Sequence, residues 1–131
     1  MKVTFTFRSL DILLALAFVA SAASGCAASA GPEPVVPSDQ KWANERWPGT
    51  TMSDLAQGHD VFVARCSSCH SLPRPDIKSP EEWDGVLAEM GARAKLSPLD
   101  RELVNRYLSA ASQRLRSRGT ATGAAPGKSS L

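Results

Sequence analysis

The residues with the most distinctive chemistry are Cys66-Ser67-Ser68-Cys69-His70, a C-x-x-C-H run. Two thiols at this spacing reach the two vinyl groups on one side of a porphyrin, while the next residue turns an imidazole onto the iron, for which it is a good ligand. The run is the attachment pattern of a c-type heme. It makes Cys66 and Cys69 the expected covalent heme thioethers and His70 the expected proximal iron ligand. Two other chemistries use the same residue types. A bare C-x-x-C serves as a redox dithiol, and Cys66, Cys69 and His70 joined by His59 form a zinc-binding set. A thioredoxin-like dithiol calls for a βαβ context, which this chain lacks, and a structural zinc site usually shows its second ligand pair at recognisable spacing.

A third cysteine, Cys26, follows a segment with the order of an export signal. Lys2 and Arg8 come first, then an apolar run from Ile12 to Ala20, then small residues. The apolar run falls well short of the ~20 residues of a membrane-spanning helix, so residues 1–25 read as a cleaved signal peptide. Ala23-Ser24-Gly25-Cys26 resembles the lipobox of bacterial lipoproteins, in which the cysteine is acylated and becomes the first mature residue. That resemblance implies lipidation at Cys26 and attachment to a membrane through acyl chains, each buried CH₂ contributing ~0.8 kcal/mol. Ordinary cleavage after Ala28-Ser29-Ala30 is the competing reading.

The elements that must position these groups are helical. A first helix is expected from about Asp54 into Cys66, with Leu55, Gly58 and Phe62 at helical spacing. Ser79, Pro80 and Glu82 form the opening of a second helix, with a capping box, whose Trp83, Val86, Leu87 and Met90 fall on one face. Ser97, Pro98 and Asp100 open a third, with Leu99, Leu103, Val104, Tyr107 and Leu108 as its buried stripe. With no hairpin signal and no sustained alternation, the fold class is all-α. Residues 26–53, rich in Pro, Ala, Ser and Gly, read as a flexible tether, although Trp42 and Trp47 are costly to leave in water and Trp47-Pro48 is expected to pack on the domain. The domain proper is placed at 54–112 and a disordered basic tail at 113–131.

At 131 residues and a net charge of +2, the chain has room for one domain, which excludes a large enzyme. The near-neutral balance argues against nucleic acid as a partner. A helical core of ~60 to 70 residues is thin by itself, and a large bound cofactor makes up the deficit.

From Leu55 to Leu108 the chain resembles class I c-type cytochromes, the small single-heme domains of bacterial periplasmic and membrane-attached electron carriers. The residues that carry the likeness are Gly58 and Phe62, the run from Cys66 to His70, Trp83 and Met90, and Tyr107-Leu108 in a closing helix. The resemblance implies a small cytochrome c-like domain of about three helices wrapped around one covalent heme. It also implies that the first and last helices cross where Gly58 and Phe62 meet Leu103 and Tyr107.

Met90 is the candidate for the distal iron ligand. His59 lies seven residues before Cys66 on a helix that covers the proximal side in this family, Met52 precedes that helix, and Lys95 is solvated. Residues 71–79 span up to ~30 Å when extended, enough to round a heme edge. A methionine at this place on an apolar helix face is also ordinary core packing. Imidazole on one side and thioether on the other suit electron transfer. The expectation is therefore not an enzyme but an electron carrier of the bacterial envelope, exchanging electrons with redox proteins at the membrane. An open distal site would instead mark a heme-based ligand-binding or sensor module, or a weak peroxidase.

Overall fold

In the computed structural model, which describes residues 32–123, the described regular structure is entirely helical. Four α-helices follow in order: α1 (Pro37–Arg46), α2 (Met52–Val61), α3 (Glu82–Arg93) and α4 (Pro98–Ala121). Helix α2 runs straight into a π-helical turn, Phe62–Cys66, and a 3-10 turn at Pro75–Ile77 interrupts the connection to α3.

The helix starts follow from local chemistry. At α2 the Thr51 hydroxyl accepts from the Asp54 N–H at 3.1 Å, and the Asp54 carboxylate accepts from the Thr51 N–H at 2.8 Å, which satisfies two orphan donors. Ser97 does the same for α4, accepting from the Asp100 N–H at 3.0 Å with Pro98 in the first turn. The Glu82 carboxylate accepts from the Ser79 N–H at 2.7 Å, but Pro80 and Glu81 form a turn and α3 begins at Glu82. Lys95, at φ +53°, ends α3 in a left-handed turn that carries the chain to Ser97.

Helix α4 is the central element. One side buries Phe62, Trp83, Leu87, Val104, Tyr107, Leu108 and Ala111 in a single cluster. The other buries Ala110 against Ala43 of α1 and Leu55 of α2, with Trp42 and Trp47 half-buried beside them. Gly58 lets α2 and α4 touch, since a Cβ there would overlap the Leu103 carbonyl and lie 3.1 Å from Tyr107 Cβ. Phe62 packs on Tyr107 with ring centroids 5.9 Å apart.

The folded region is longer at both ends than the sequence reading allowed, and the described residues form four α-helices rather than about three. The expected flexible tether over 26–53 contains α1, and the expected disordered tail over 113–131 is helical as far as Ala121. Besides the apolar contacts of Ala43, an ion pair joins the two added segments. Asp39 of α1 is buried at 2% exposure, and Arg114 of α4 donates to it through Nε at 2.8 Å. Arg114 also donates to the Pro34 carbonyl at 3.1 Å and lies 3.4 Å from the Glu33 carboxylate. Tyr107 adds a hydrogen bond from its hydroxyl to the Glu33 carbonyl at 2.7 Å. A buried charge pair of this kind holds the segment from Glu33 onward against α4. The signal peptide expected at 1–25, the lipidation expected at Cys26, and residues 124–131 lie outside the described residues. Among the described residues, no helix is long and apolar enough to cross a membrane.

Candidate cofactor site

The C-x-x-C-H run begins where α2 stops being an α-helix. The wider π turn over Phe62–Cys66 keeps Phe62 in the core and brings Cys66, half-buried, to the edge of it. Beyond it, Ser67 and Ser68 turn their hydroxyls back onto the Val63 and Arg65 carbonyls at 2.6 and 2.8 Å, which closes the end of the turn. Cys69 and His70 are exposed, and both cysteines are free thiols.

A cavity of about 230 Å³, open on one side, lies against this turn. Cys66, Cys69 and His70 line it together with Met90 and Ala94. All four residues expected at the iron site within the described region thus share one cavity. Their contributions come from two elements separated by the loop from Ser71 to Glu81. His70 Nδ1 is 2.8 Å from the Ser71 carbonyl oxygen. Donating its proton there leaves Nε2 as the free imidazole nitrogen, the arrangement in which a histidine is oriented for a metal.

Met90 does not pack in the core. Trp83 and Leu87 fill the core at 2% and 3% exposure, whereas Met90 is 37% exposed. It sits in the last turn of α3, past the end of the buried cluster, where the same helix face that carries Trp83 and Leu87 looks out over the cavity. Gly91, next to it, is buried against the Arg101 stem.

The Cys66 thiol is held above its ordinary range, first by burial and then by the neighbouring Cys69. That favours the protonated form and opposes the thiolate on which a redox dithiol depends. His59 does not reach the cavity. Its ring stands edge-on to Tyr107 at 5.2 Å and its Nδ1 lies 3.0 Å from Asp60. Among the described residues, no three His, Cys, Asp or Glu side chains converge as a metal-binding group, so the zinc set of Cys66, Cys69, His70 and His59 is not assembled. Met52 starts α2, away from the cavity.

Two arginines, Arg65 and Arg93, border the cavity. Arg93 is paired with Glu89 at 2.8 Å across one turn of α3 and is exposed. Arg93 carried no sequence signal of its own, since an i, i+4 pair on a helix surface reads as a solvated face. Arg74 is engaged instead with Asp76 at 3.0 Å. Trp83 is buried, with its indole N–H donating to the Pro75 carbonyl at 2.9 Å.

The residues present suit a c-type heme. Two free thiols at the required spacing, an imidazole with a free nitrogen and an exposed thioether face one open cavity with cationic groups at its border. Comparison of the chain with known protein families, with curated proteins and with solved structures finds no match.

Proposed function

We propose that this chain is a single-heme c-type cytochrome that carries electrons between redox proteins at the bacterial cell envelope. The observation that carries the reading is the shared cavity of Cys66, Cys69, His70 and Met90. In this reading each thiol adds across one vinyl group, sulfur to one carbon and hydrogen to the other, so nothing is released. His70, oriented through Ser71, offers Nε2 to the proximal side of the iron. Met90 offers its thioether to the distal side. A heme bound in this way supplies a one-electron ferric/ferrous couple. The chain's own part is to hold the two ligands in fixed positions, so that little rearranges when the charge changes.

The proposal extends to the site of action. Residues 1–25 direct export, Cys26 carries the lipid anchor, and the domain follows within a few residues of it. The partners are then redox proteins at the same membrane. Replacing Cys26 by Ser is expected to release the protein from membranes.

Visible spectra of the purified oxidised and reduced protein test the assignment. The expected result is the pair of sharp bands of a reduced low-spin heme, together with the weak near-infrared band of sulfur-ligated ferric iron in the oxidised form. A high-spin spectrum that shifts at once on adding cyanide would contradict the distal assignment and favour the ligand-binding or peroxidase reading.

A further inference from the structure

Helix α4 carries two serines where its pattern calls for apolar residues. Ser109 is 1% exposed and Ser112 fully buried. Each donates to a backbone carbonyl of the loop before α3, Ser109 to Pro80 at 3.0 Å and Ser112 to Lys78 at 2.5 Å. One turn further on, Arg116 donates to the Asp76 carbonyl at 3.2 Å. Positions 109, 112 and 116 fall on one helix face, and the carbonyls they hold run backwards at residues 80, 78 and 76. The three bonds form an antiparallel ladder between a helix and a strap that has only one 3-10 turn of its own. Pro73, Pro75 and Pro80 leave the strap short of N–H donors, so it makes few backbone bonds. Side chains from α4 and the indole of Trp83 hold its carbonyls instead.

The strap joins His70 to α3, which carries Met90 in its last turn. We infer that Ser109, Ser112 and Arg116 are positioning residues for the iron site, fixing the strap and with it the separation of His70 from Met90. The inference rests on the heme reading above and adds to it the residues that keep the distal thioether in place. None of the three lines the cavity, so any effect they have on the iron is indirect, and the carbonyls they hold belong to the strap. Loosening the strap lets Met90 leave more easily, and a competing ligand then binds more tightly.

The test is titration of the oxidised, heme-loaded full chain with imidazole, read from the loss of the near-infrared band, with circular dichroism and thermal unfolding alongside. Ser109→Ala/Ser112→Ala removes two buried hydrogen bonds and is expected to raise the apparent imidazole affinity about tenfold. Arg116→Met, at a half-buried position, is expected to raise it a few-fold, whereas Arg116→Lys, which keeps a donor, stays close to wild type. Ser117→Ala, on the same helix outside the ladder, is expected to leave it unchanged. Heme-loaded variants that unfold at lower temperature but bind imidazole as the wild type does would overturn the inference, leaving the ladder a stability device. A wild-type chain that takes up no heme would instead remove the reading beneath it.

Discussion

At the scale of single residues, the chemistry is concentrated in four side chains that two separate elements deliver to one cavity. The C-x-x-C-H run was legible because its chemistry depends on local spacing, which any reading of the chain sees. Met90 was legible as a residue but not in its surroundings. Its position on the apolar stripe of α3 suggested burial, and the stripe does continue, but the core beneath it ends at Leu87. Its exposure, and its place in one cavity with two thiols and an imidazole, are what the proposed coordination requires. Met90→Ala is expected to abolish the near-infrared band, lower the reduction potential and open the iron to added ligands, because a neutral thioether favours the ferrous state. Since Met90 is 37% exposed, the packing lost in the same change should cost less than ~1 kcal/mol, and any larger loss of stability in the heme-loaded protein reports the lost iron–sulfur bond. Thermal unfolding and a redox titration separate the two effects.

At the scale of elements, the fold depends on how closely α2 and α4 approach. Gly58→Ala places a methyl group into the Leu103 carbonyl, with helix backbone on both sides and no flexible group to yield. The expected cost is at least ~2 kcal/mol, measured by denaturant unfolding. The helix starts add a pH dependence. The Asp54 carboxyl is held below its ordinary value, chiefly by the Thr51 backbone N–H, and the Glu82 carboxyl likewise by the Ser79 N–H. A depressed folded-state pKa contributes stability that is present above the unfolded value and lost as pH falls through the folded one. Stability should therefore hold down to about pH 4–5 and fall below it, and Asp54→Asn should flatten part of that acid limb in pH-dependent unfolding. The starts of α2 and α4 could be read from Asp54 and Ser97 because caps are local. The π turn at Phe62–Cys66 could not: the helical spacing carries the helix on into Cys66, and nothing in Val61-Phe62-Val63, whose β-branched residues also suit a strand, marks where the hydrogen bonding widens.

At the scale of the whole molecule, a buried ion pair extends the domain beyond its apolar core. Helix α1 was hidden in the sequence because its buried face is Asp39 and Ala43, a carboxylate and a small residue, rather than an apolar stripe. Its partner, Arg114, reads as part of a solvated basic stub until the fold places it over Asp39. Arg114→Leu leaves that carboxylate buried and unpaired, at an expected cost of ~3–5 kcal/mol, and should expose Glu33 to Arg46 to limited proteolysis. Arg114→Leu/Asp39→Leu should recover much of the loss, because no lone charge remains. The central proposal is that the cavity lined by Cys66, Cys69, His70 and Met90 holds a heme bonded to the two thiols. The most direct measurement is the intact mass of the chain after acid denaturation, from cells that carry a c-type heme maturation system. The account predicts the polypeptide plus one heme, lost when both cysteines are replaced by Ala. A mass without the heme increment, with Cys66 and Cys69 both open to alkylation, would contradict it.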